Sequence, residues 1–327
     1  MVNFSFLNEI LFAILLGVVQ GISEFLPISS TAHLRLVSSA LLQGRDIGLV
    51  TSNIIQFGTT IAIIQYFWSD LSAYFYRFID ILKSPKLRAD FVENVRTWWN
   101  GSFKQLQLST AHLVDIQIAQ IVLGSLPIMV LGFTLRNFAE RYRSLTDIAY
   151  FLLIGSALMW LAEYIHEQVK KHPEVNIDKK STIFTKGEVL LVGFFQFLAI
   201  FPGISRSGAT TSGALIVGRP RKEAVRFAFL LSIPALIAAS LLDLAKAITE
   251  IIKGNITFLP DSSNWTSTNI NISILSLALS FVLSYIVGWI CLSWLINFLS
   301  RKTFYPFIYY RVGLALLLLI LVAFKFI

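Results

Sequence analysis

The stretch GVVQGISEFLPISSTAHL, Gly17 to Leu34, places a carboxylate, several hydroxyls and an imidazole inside a strongly apolar chain. An apolar run precedes it and a largely apolar stretch follows it. Pro27 ends the first run, because proline lacks the backbone N–H that a continuing helix needs. Serine and threonine follow, which are favoured where a helix begins. The stretch therefore predicts two helical limbs joined by a polar turn.

The whole chain has the composition of an all-α polytopic membrane protein. Of its 327 residues, 55% are hydrophobic and 14% are charged, against about 25% charged in a soluble domain. Apolar segments of about 20 residues, enough to cross a bilayer as a helix, recur along it. They are continuous, unlike the alternating strands of a membrane β-barrel. The net charge of +8 lies largely between these segments, so it does not indicate nucleic-acid binding.

We predict a single membrane domain, 1–327, with six full spans and two shorter hairpins. The spans are expected at about 47–68, 116–135, 147–165, 224–248, 272–297 and 307–327. The hairpins cover residues 8–42 and 187–217, and their apolar limbs hold only ten and thirteen residues before polar residues or a proline interrupt them. Runs this short are typical of re-entrant segments, which enter and leave the membrane on one side.

The two hairpins resemble each other. GVVQ (17–20) is followed by LPISST, and GFFQ (193–196) is followed by FPGISRS. Gly17 and Gly193 are 176 positions apart, as are Gln20 and Gln196. This pattern predicts a repeat of about 1–165 and a second of about 187–327.

Loop charge predicts how the repeats are oriented. Lysine and arginine concentrate at 77–104, 170–186, 219–222 and 301–302, whereas 249–271 holds only Lys253. With the basic sides in the cytoplasm, the first hairpin enters from outside, the second enters from inside, and both chain ends lie outside. The basic segment Arg136–Arg143 is an exception, because it falls outside. Opposed repeats with broken helices require a polar cavity within the bundle.

Both hairpin tips carry groups suited to phosphate chemistry. Glu24 and His33 provide a candidate base and acid, and a hydroxyl provides a candidate nucleophile. Arg206 and two helix N-termini can bind phosphate oxygens. The remaining candidates are polar residues of the two tips: Gln20, Ser29, Ser30, Thr31, Ser205, Ser207 and Thr210. A structural Glu24–Arg206 ion pair is the alternative interpretation.

Other catalytic motifs are absent from the sequence. There is no P-loop signature, and Ser207 replaces the last glycine of a G-x-S-x-G elbow. Four histidines and the single Cys291 argue against a zinc site or a disulfide framework. A Mg²⁺ or Ca²⁺ ion held by Glu24 and substrate phosphates is compatible with the residues.

GVVQGISEFLPISSTAHL and PGISRSGATTSGAL resemble the two signature regions of the undecaprenyl-diphosphatase family, also called bacitracin-resistance proteins. The first carries the family's [E/Q]-x-x-x-E motif as Gln20 and Glu24, and the second its P-G-x-S-R-S-x-x-T motif. Weaker similarity covers most of the chain. The stretches at roughly 80–113 and 250–270 are longer than is usual in the family.

The resemblance implies an inverted-repeat bundle that hydrolyses undecaprenyl pyrophosphate to undecaprenyl phosphate and inorganic phosphate, supplying the carrier lipid for cell-wall synthesis. It implies a bacterial inner-membrane protein whose site opens to the outer face. It points to Glu24, Ser30, His33 and Arg206 as the catalytic core, with the other tip residues in support. Gln20 leaves one carboxylate at the site, which argues against a two-carboxylate metal cage.

Two other classes of protein are considered. A carrier for a lipid phosphate or small anion would fit inverted repeats and half-helix N-termini equally well. It would not need a hydroxyl and an imidazole beside a carboxylate. A structural scaffold is disfavoured by the energetic cost of Glu24 and Arg206 within a membrane. The sequence leaves open the oligomeric state, including a homo-oligomer, and whether Ser30 or water is the nucleophile.

Overall fold

The computed structural model describes residues 6–41, 49–101, 109–139, 141–171, 183–252 and 274–326. Over these ranges every regular element is an α-helix, which confirms the predicted class. In chain order the helices are α1 (Phe6–Phe25), α2 (Ser30–Leu41), α3 (Leu49–Tyr66), α4 (Trp68–Lys83), α5 (Pro85–Trp99), α6 (Thr110–Ala139), α7 (Leu145–Lys171), α8 (Lys186–Leu198), α9 (Arg206–Ile216), α10 (Arg221–Ile252), α11 (Ile274–Leu299) and α12 (Tyr305–Ala323).

Six of the described helices are long and apolar enough to cross a membrane, the number predicted. Five match predicted spans, namely α6, α7, α10, α11 and α12. The sixth is α1, in place of α3. The polar residues Asn53, Gln56 and Gln65 make α3 less apolar than the other predicted spans. α1 runs for 20 residues without a break, so it is longer than its ten-residue apolar run indicated. The re-entrant path of each hairpin stays a prediction.

The two hairpin tips have the same local backbone. Ser29 and Ser205, 176 positions apart, adopt left-handed φ angles of 74° and 72°. The Oγ of Ser29 accepts a hydrogen bond from the Ala32 N–H at 3.4 Å, and that of Ser205 accepts one from the Gly208 N–H at 3.4 Å. Each serine therefore caps the helix that follows it. The serines predicted to start the second limbs do so in both hairpins.

Glycine allows each hairpin's first limb to lie directly against a long helix. α1 packs along α11, and a Cβ at Gly17 would lie 2.6 Å from the Ser280 carbonyl oxygen. α8 packs along α6, and a Cβ at Gly193 would overlap the Gly124 carbonyl oxygen. Small residues at helix contacts are typical of membrane bundles, where close packing stabilises the association. These contacts fix both limbs in the bundle and so fix the tips that they carry.

α6 and α10 contain internal prolines, Pro127 and Pro234. A proline removes one helical hydrogen bond and bends the helix at that point. The segments after the two prolines lie beside the hairpin tips, where they form one side of a cavity. Many large apolar side chains of the bundle face outward, such as Phe133 at 80% exposed and Trp160 at 51%. This apolar surface is suited to contact with membrane lipid.

The two stretches expected to be longer than usual have different outcomes. Within 80–113, the described residues form the end of α4, all of α5 and the start of α6. Arg77 and Asn94 both donate to the buried Asp115 of α6, at 2.7 Å, which ties α4 and α5 to the bundle. Of 250–270, the residues after Ile252 lie outside the described part of the chain, as does Lys253.

Candidate active site

Glu24 joins the two hairpin tips. It lies in the last turn of α1, where its Oε2 accepts hydrogen bonds from Gln20 Nε2 at 3.0 Å and Ser30 Oγ at 2.9 Å. Its Oε1 accepts one from Arg206 Nη2 at 2.6 Å. The Glu24 side chain is only 5% exposed. One buried carboxylate thus binds a hydroxyl from the first tip and a guanidinium from the second.

Ser30 and Arg206 occupy equivalent places in the two hairpins. Each is the first residue of the helix after the turn, and the two are 176 positions apart. The unpaired N–H groups of a helix start and the helix dipole favour an anion at that place. The arginine side chain is 20% exposed, so it is accessible from the cavity. The predicted meeting of a hydroxyl, a carboxylate and an arginine is present in the structure.

His33 lies one turn into α2 and faces Tyr310 of α12. Its Nδ1 is 2.8 Å from the Ser29 carbonyl oxygen, and its Nε2 is 2.6 Å from the Tyr310 hydroxyl. Because a carbonyl oxygen only accepts, Nδ1 carries a proton, and in the neutral imidazole Nε2 then accepts from the hydroxyl. The two rings stack with centroids 5.6 Å apart. The histidine is held by these contacts rather than by a bond to Glu24 or Ser30.

The other predicted site residues lie at the tips but bond locally. Thr31 lines the cavity. Ser205 and Ser207 share a hydrogen bond of 3.2 Å between their Oγ atoms. The Thr210 hydroxyl donates to the Arg206 carbonyl oxygen at 2.8 Å. These bonds of the second tip thus shape the start of α9. The connected network of the site is formed by four other residues: Gln20, Glu24, Ser30 and Arg206.

Arg311 of α12 contacts both tips of the candidate site, and the sequence analysis did not single it out. It is fully buried, and it donates to the carbonyl oxygens of Pro27 at 3.2 Å and Gly203 at 3.0 Å. These two carbonyls belong to the two tips and are 176 positions apart. Further bonds reach α7, at Ser156 Oγ and Leu152 O. One guanidinium therefore holds both tips against α7 and α12. An arginine within the apolar run of the last span was the available signal.

A cavity of about 530 Å³ adjoins the network. Gln20, Ser30 and Arg206 line it at the tips, together with Ser52, Asn53 and Gln56 of α3. Two further arginines, Arg35 and Arg143, also line it. Most of the remaining lining is apolar, and the larger part of it comes from α6 and α10 beyond their prolines. The polar residues that make α3 less apolar are thus placed at the cavity.

Oxygen atoms of Gln20 and Glu24 are the candidate ligands for a divalent cation at the site. Among the described residues, no group of three or more His, Cys, Asp or Glu side chains is arranged to hold a metal ion. Gln20 lines the cavity, and its Oε1 is buried without a hydrogen-bond partner. An oxygen of this kind is a ligand that Mg²⁺ and Ca²⁺ accept. The unpaired Gln20 Oε1 and the neighbouring Glu24 carboxylate would therefore fit a divalent cation, with substrate phosphates and water as its remaining ligands.

Fold and site together define a polytopic α-helical membrane protein with an acid–hydroxyl–arginine site at two facing hairpin tips. Residues 13–317 match the sequence model of the family described as bacitracin resistance protein BacA, and the chain belongs to that family. The resemblance drawn from the two motifs is confirmed.

Full-length relatives carry the name of an activity. The undecaprenyl-diphosphatase of Paenarthrobacter aurescens is 32% identical over 315 residues, covering 96% of this chain and 97% of that protein. Undecaprenyl-diphosphatase 2 of Streptomyces avermitilis is 31% identical, and the match covers 95% of this chain and 94% of that protein. The undecaprenyl-diphosphatase of Prochlorococcus marinus is 33% identical over 97% of this chain and 94% of its own.

Proposed function

We propose that this protein hydrolyses undecaprenyl diphosphate to undecaprenyl phosphate and inorganic phosphate. The observation that carries the proposal is the single carboxylate of Glu24 bonded both to Ser30 Oγ and to Arg206. A base on a hydroxyl, beside a cation suited to phosphate oxygens, is what phosphoryl transfer to a serine requires. Membership of the BacA family and the names of its relatives support the same activity.

The transfer step begins at Ser30. Its Oγ attacks the terminal phosphorus while its proton passes to Glu24, 2.9 Å away. The bond from that phosphorus to the bridging oxygen breaks, and undecaprenyl phosphate leaves with the bonding electrons. A phosphoserine remains. Water then attacks the phosphoserine phosphorus, and the bond from phosphorus to Ser30 Oγ breaks, which releases inorganic phosphate. The serine oxygen takes up the proton held by Glu24, and the proton given up by the water passes to Glu24 and from there to solvent.

Charge at the transferring group is balanced by fixed groups of both tips. Arg206 supplies a guanidinium, and the starts of α2 and α9 supply N–H groups and helix dipoles. Substrate phosphate would exchange for Glu24 on part of the guanidinium, which would leave the carboxylate available to accept the Ser30 proton. His33, held by Ser29 and Tyr310, is the second candidate for proton transfer.

A divalent cation, Mg²⁺ or Ca²⁺, is part of the proposal. Gln20 Oε1 and the Glu24 carboxylate would hold it with substrate phosphates. When bound, it would neutralise phosphate charge and so favour attack by the Ser30 oxygen.

The proposed setting is the bacterial cytoplasmic membrane, with the prenyl chain in lipid or in a lateral groove and the site open to the outer face. Six membrane-spanning-capable helices support a multi-pass protein. The carrier hypothesis gains no support from the relatives, and a carrier would not need a hydroxyl bonded to a carboxylate.

The activity is tested with detergent-purified protein, undecaprenyl diphosphate and Mg²⁺, by measuring released phosphate. We expect release by the wild type, and a loss of at least about a thousandfold in Ser30→Ala and Arg206→Ala. Ser72→Ala, which removes a hydroxyl from α4 away from the cavity, is the matched control. Acid quenching with substrate labelled in the terminal phosphate tests for phosphoserine. Full activity in Ser30→Ala would assign the attack to water instead.

A further inference from the structure

α4 exposes an apolar side. Four large apolar residues of this helix are each more than half exposed over the described part of the chain: Trp68, Phe75, Phe78 and Leu82. Intervals of three, four and seven residues separate neighbouring members of this set, which places them on one face of the helix. This face is called the apolar side of α4. A contiguous apolar surface of this kind needs a partner that removes it from water.

The rest of α4 divides into a polar side and an inner side. Ser69, Asp80 and Lys83 are exposed and share one face, roughly 130° around the helix from the apolar side. Asp70 and Arg77 lie on the remaining face and bond to the bundle. An exposed apolar side next to an exposed polar side is typical of a helix that lies at the boundary of lipid and water.

The inner side is bonded to two membrane-spanning helices at the same level. Asp70 pairs with Arg226 of α10, and Arg77 donates to Asp115 of α6 at 2.7 Å. Asp115 and Arg226 are each five residues from the first residue of their helix, where the candidate membrane spans also begin. The two starts lie together, since Gln117 and Arg226 line one small cavity. Asp70 and Arg77 are about 10 Å apart along α4. α4 therefore crosses from one span to the other near the membrane boundary.

The ends of the apolar side carry residues that favour a membrane boundary. Trp68 begins it directly after the end of α3, and Tyr76 lies between the apolar and polar sides. Tryptophan and tyrosine concentrate at the level of lipid headgroups. At the other end, Lys83 is exposed, and Arg88 Nη2 donates to the Leu82 carbonyl oxygen at 3.2 Å. Cations in this position can contact lipid phosphates while the apolar side contacts acyl chains.

We propose that α4 lies along the membrane surface at the end of the bundle opposite the large cavity. Its apolar side contacts lipid acyl chains, and its polar side contacts water. The partner of the apolar side is thus the protein's own bilayer, rather than a second copy of the chain or another protein. In this position α4 fixes the depth at which α6 and α10 enter the membrane. The inference does not depend on the proposed phosphatase activity.

Single cysteines on two sides of α4 test this inference in a Cys291→Ser background. Phe75→Cys lies on the apolar side, and Ala73→Cys, also at an exposed residue, lies nearly opposite and about 3 Å away along the helix. The full-length protein is labelled with a small fluorophore and placed in nanodiscs of phosphatidylcholine and phosphatidylglycerol. Quenching is measured with a lipid that carries a nitroxide near its headgroup, and separately with aqueous iodide.

We expect the lipid nitroxide to quench the label at residue 75 at least about threefold more strongly than the label at residue 73, and iodide to show the reverse order. Phe78→Cys and Asp80→Cys repeat the comparison one turn further along the helix. This second pair keeps the test decisive if a variant of the first pair does not fold.

Two results would overturn the inference. Strong iodide quenching on both sides of α4, without quenching by the lipid nitroxide, would place the apolar side in water. Protection of residues 75 and 78 from both quenchers would mean that protein covers the apolar side, and cross-linking through Phe75→Cys would then show whether that protein is a second copy. Release of phosphate, measured on the same samples, bears on the proposed activity alone.

Discussion

At the residue scale, Glu24 is the group on which the other site residues converge. A carboxylate that is 5% exposed needs compensation for lost hydration. Gln20, Ser30 and Arg206 provide three donors, one of which is charged. The same bonds orient the carboxylate toward the Ser30 hydroxyl, so the groups that stabilise the charge also prepare it as a base.

Replacing Glu24→Gln tests the role of the carboxylate as base. The amide has nearly the same shape but cannot take a proton from Ser30, and its NH₂ group would compete with the Arg206 donor. We expect kcat to fall by about 10²- to 10⁴-fold, the usual contribution of a positioned base. Phosphate release is the measurement, and Glu93→Gln, exposed on α5, is the control. Wild-type kcat in Glu24→Gln would contradict this role and would indicate His33 as the base.

Tyr310→Phe tests whether the bond to His33 matters for turnover. The change keeps the stacked ring and removes the hydroxyl that lies 2.6 Å from Nε2. One neutral hydrogen bond contributes about 0.5–1.5 kcal/mol net, which predicts a fall in kcat of about 2- to 12-fold with little change in KM. Tyr309→Phe is the control, because Tyr309 is adjacent and 71% exposed. Equal kcat for both variants would leave His33 without a part in turnover.

At the element scale, the tips depend on α12. The Arg311 guanidinium bonds to the Pro27 and Gly203 carbonyls, so neither hairpin can shift without breaking a buried bond. Gly155 of α7 leaves room for this side chain, since a Cβ there would overlap the guanidinium. α12 therefore couples two hairpins that are far apart in sequence.

Arg311→Lys and Arg311→Met separate positioning from stability. Methionine removes the donor from the Pro27 and Gly203 carbonyls, whereas Leu152 O keeps its bond from Ser156 Oγ. We expect unfolding at lower temperature, by an amount equivalent to about 1–3 kcal/mol for each buried carbonyl left unpaired. Lysine keeps a charge but lacks the planar fork, so it should retain more of the stability and lose kcat with KM nearly unchanged. Thermal unfolding in detergent and phosphate release are the measurements, with exposed Arg301→Lys as control. Wild-type kcat in a stable Arg311→Lys protein would contradict a positioning role.

The site was predictable from sequence where the motif is local. Ser29 and Ser30 follow a proline break, so helix capping and the position of the candidate hydroxyl could be predicted from their order alone. The equal spacing that paired Gly17 with Gly193 and Gln20 with Gln196 extends in the structure to Ser30 and Arg206. Arg311 and Tyr310 could not be found this way, because their partners lie more than a hundred residues away and no local pattern specifies tertiary contacts.

The membrane assignment of α1 and α3 shows a second limit of prediction from sequence, namely the use of hydropathy to identify spans. Apolar run length predicted a short α1, yet the helix continues through its polar residues. Gln20 donates to Glu24, and Glu24 accepts from Arg206 of the second tip, so these polar groups are bonded within the bundle. In α3, Asn53 and Gln56 face the cavity, so a helix expected to be a full span is less apolar. Hydropathy alone does not distinguish a polar residue that faces a cavity from one that ends a span.

At the scale of the whole molecule, three ion pairs between helices and the arginine-lined cavity lie toward opposite ends of the helices. Ion pairs occur near the start of α6 and α10 and late in α7: Arg77–Asp115, Arg226–Asp70 and Arg221–Glu163. The cavity is lined by the far halves of α6 and α10 and by the connection into α7. These three ion pairs thus lie at the end predicted to be cytoplasmic, whereas the cavity and the Glu24–Arg206 pair lie toward the other end.

The connection between α6 and α7 tests that orientation. Arg141 and Arg143 break the positive-inside pattern if the connection lies outside, and a cavity-lining role for Arg143 would account for the retained charge. In a Cys291→Ser background, Arg141→Cys and Lys222→Cys place single thiols at exposed positions of opposite ends. A membrane-impermeant maleimide added to intact cells should label the first and reach the second only after permeabilisation. Labelling in the reverse order would show that the cavity opens to the cytoplasm. The substrate would then have to reach the site from that face.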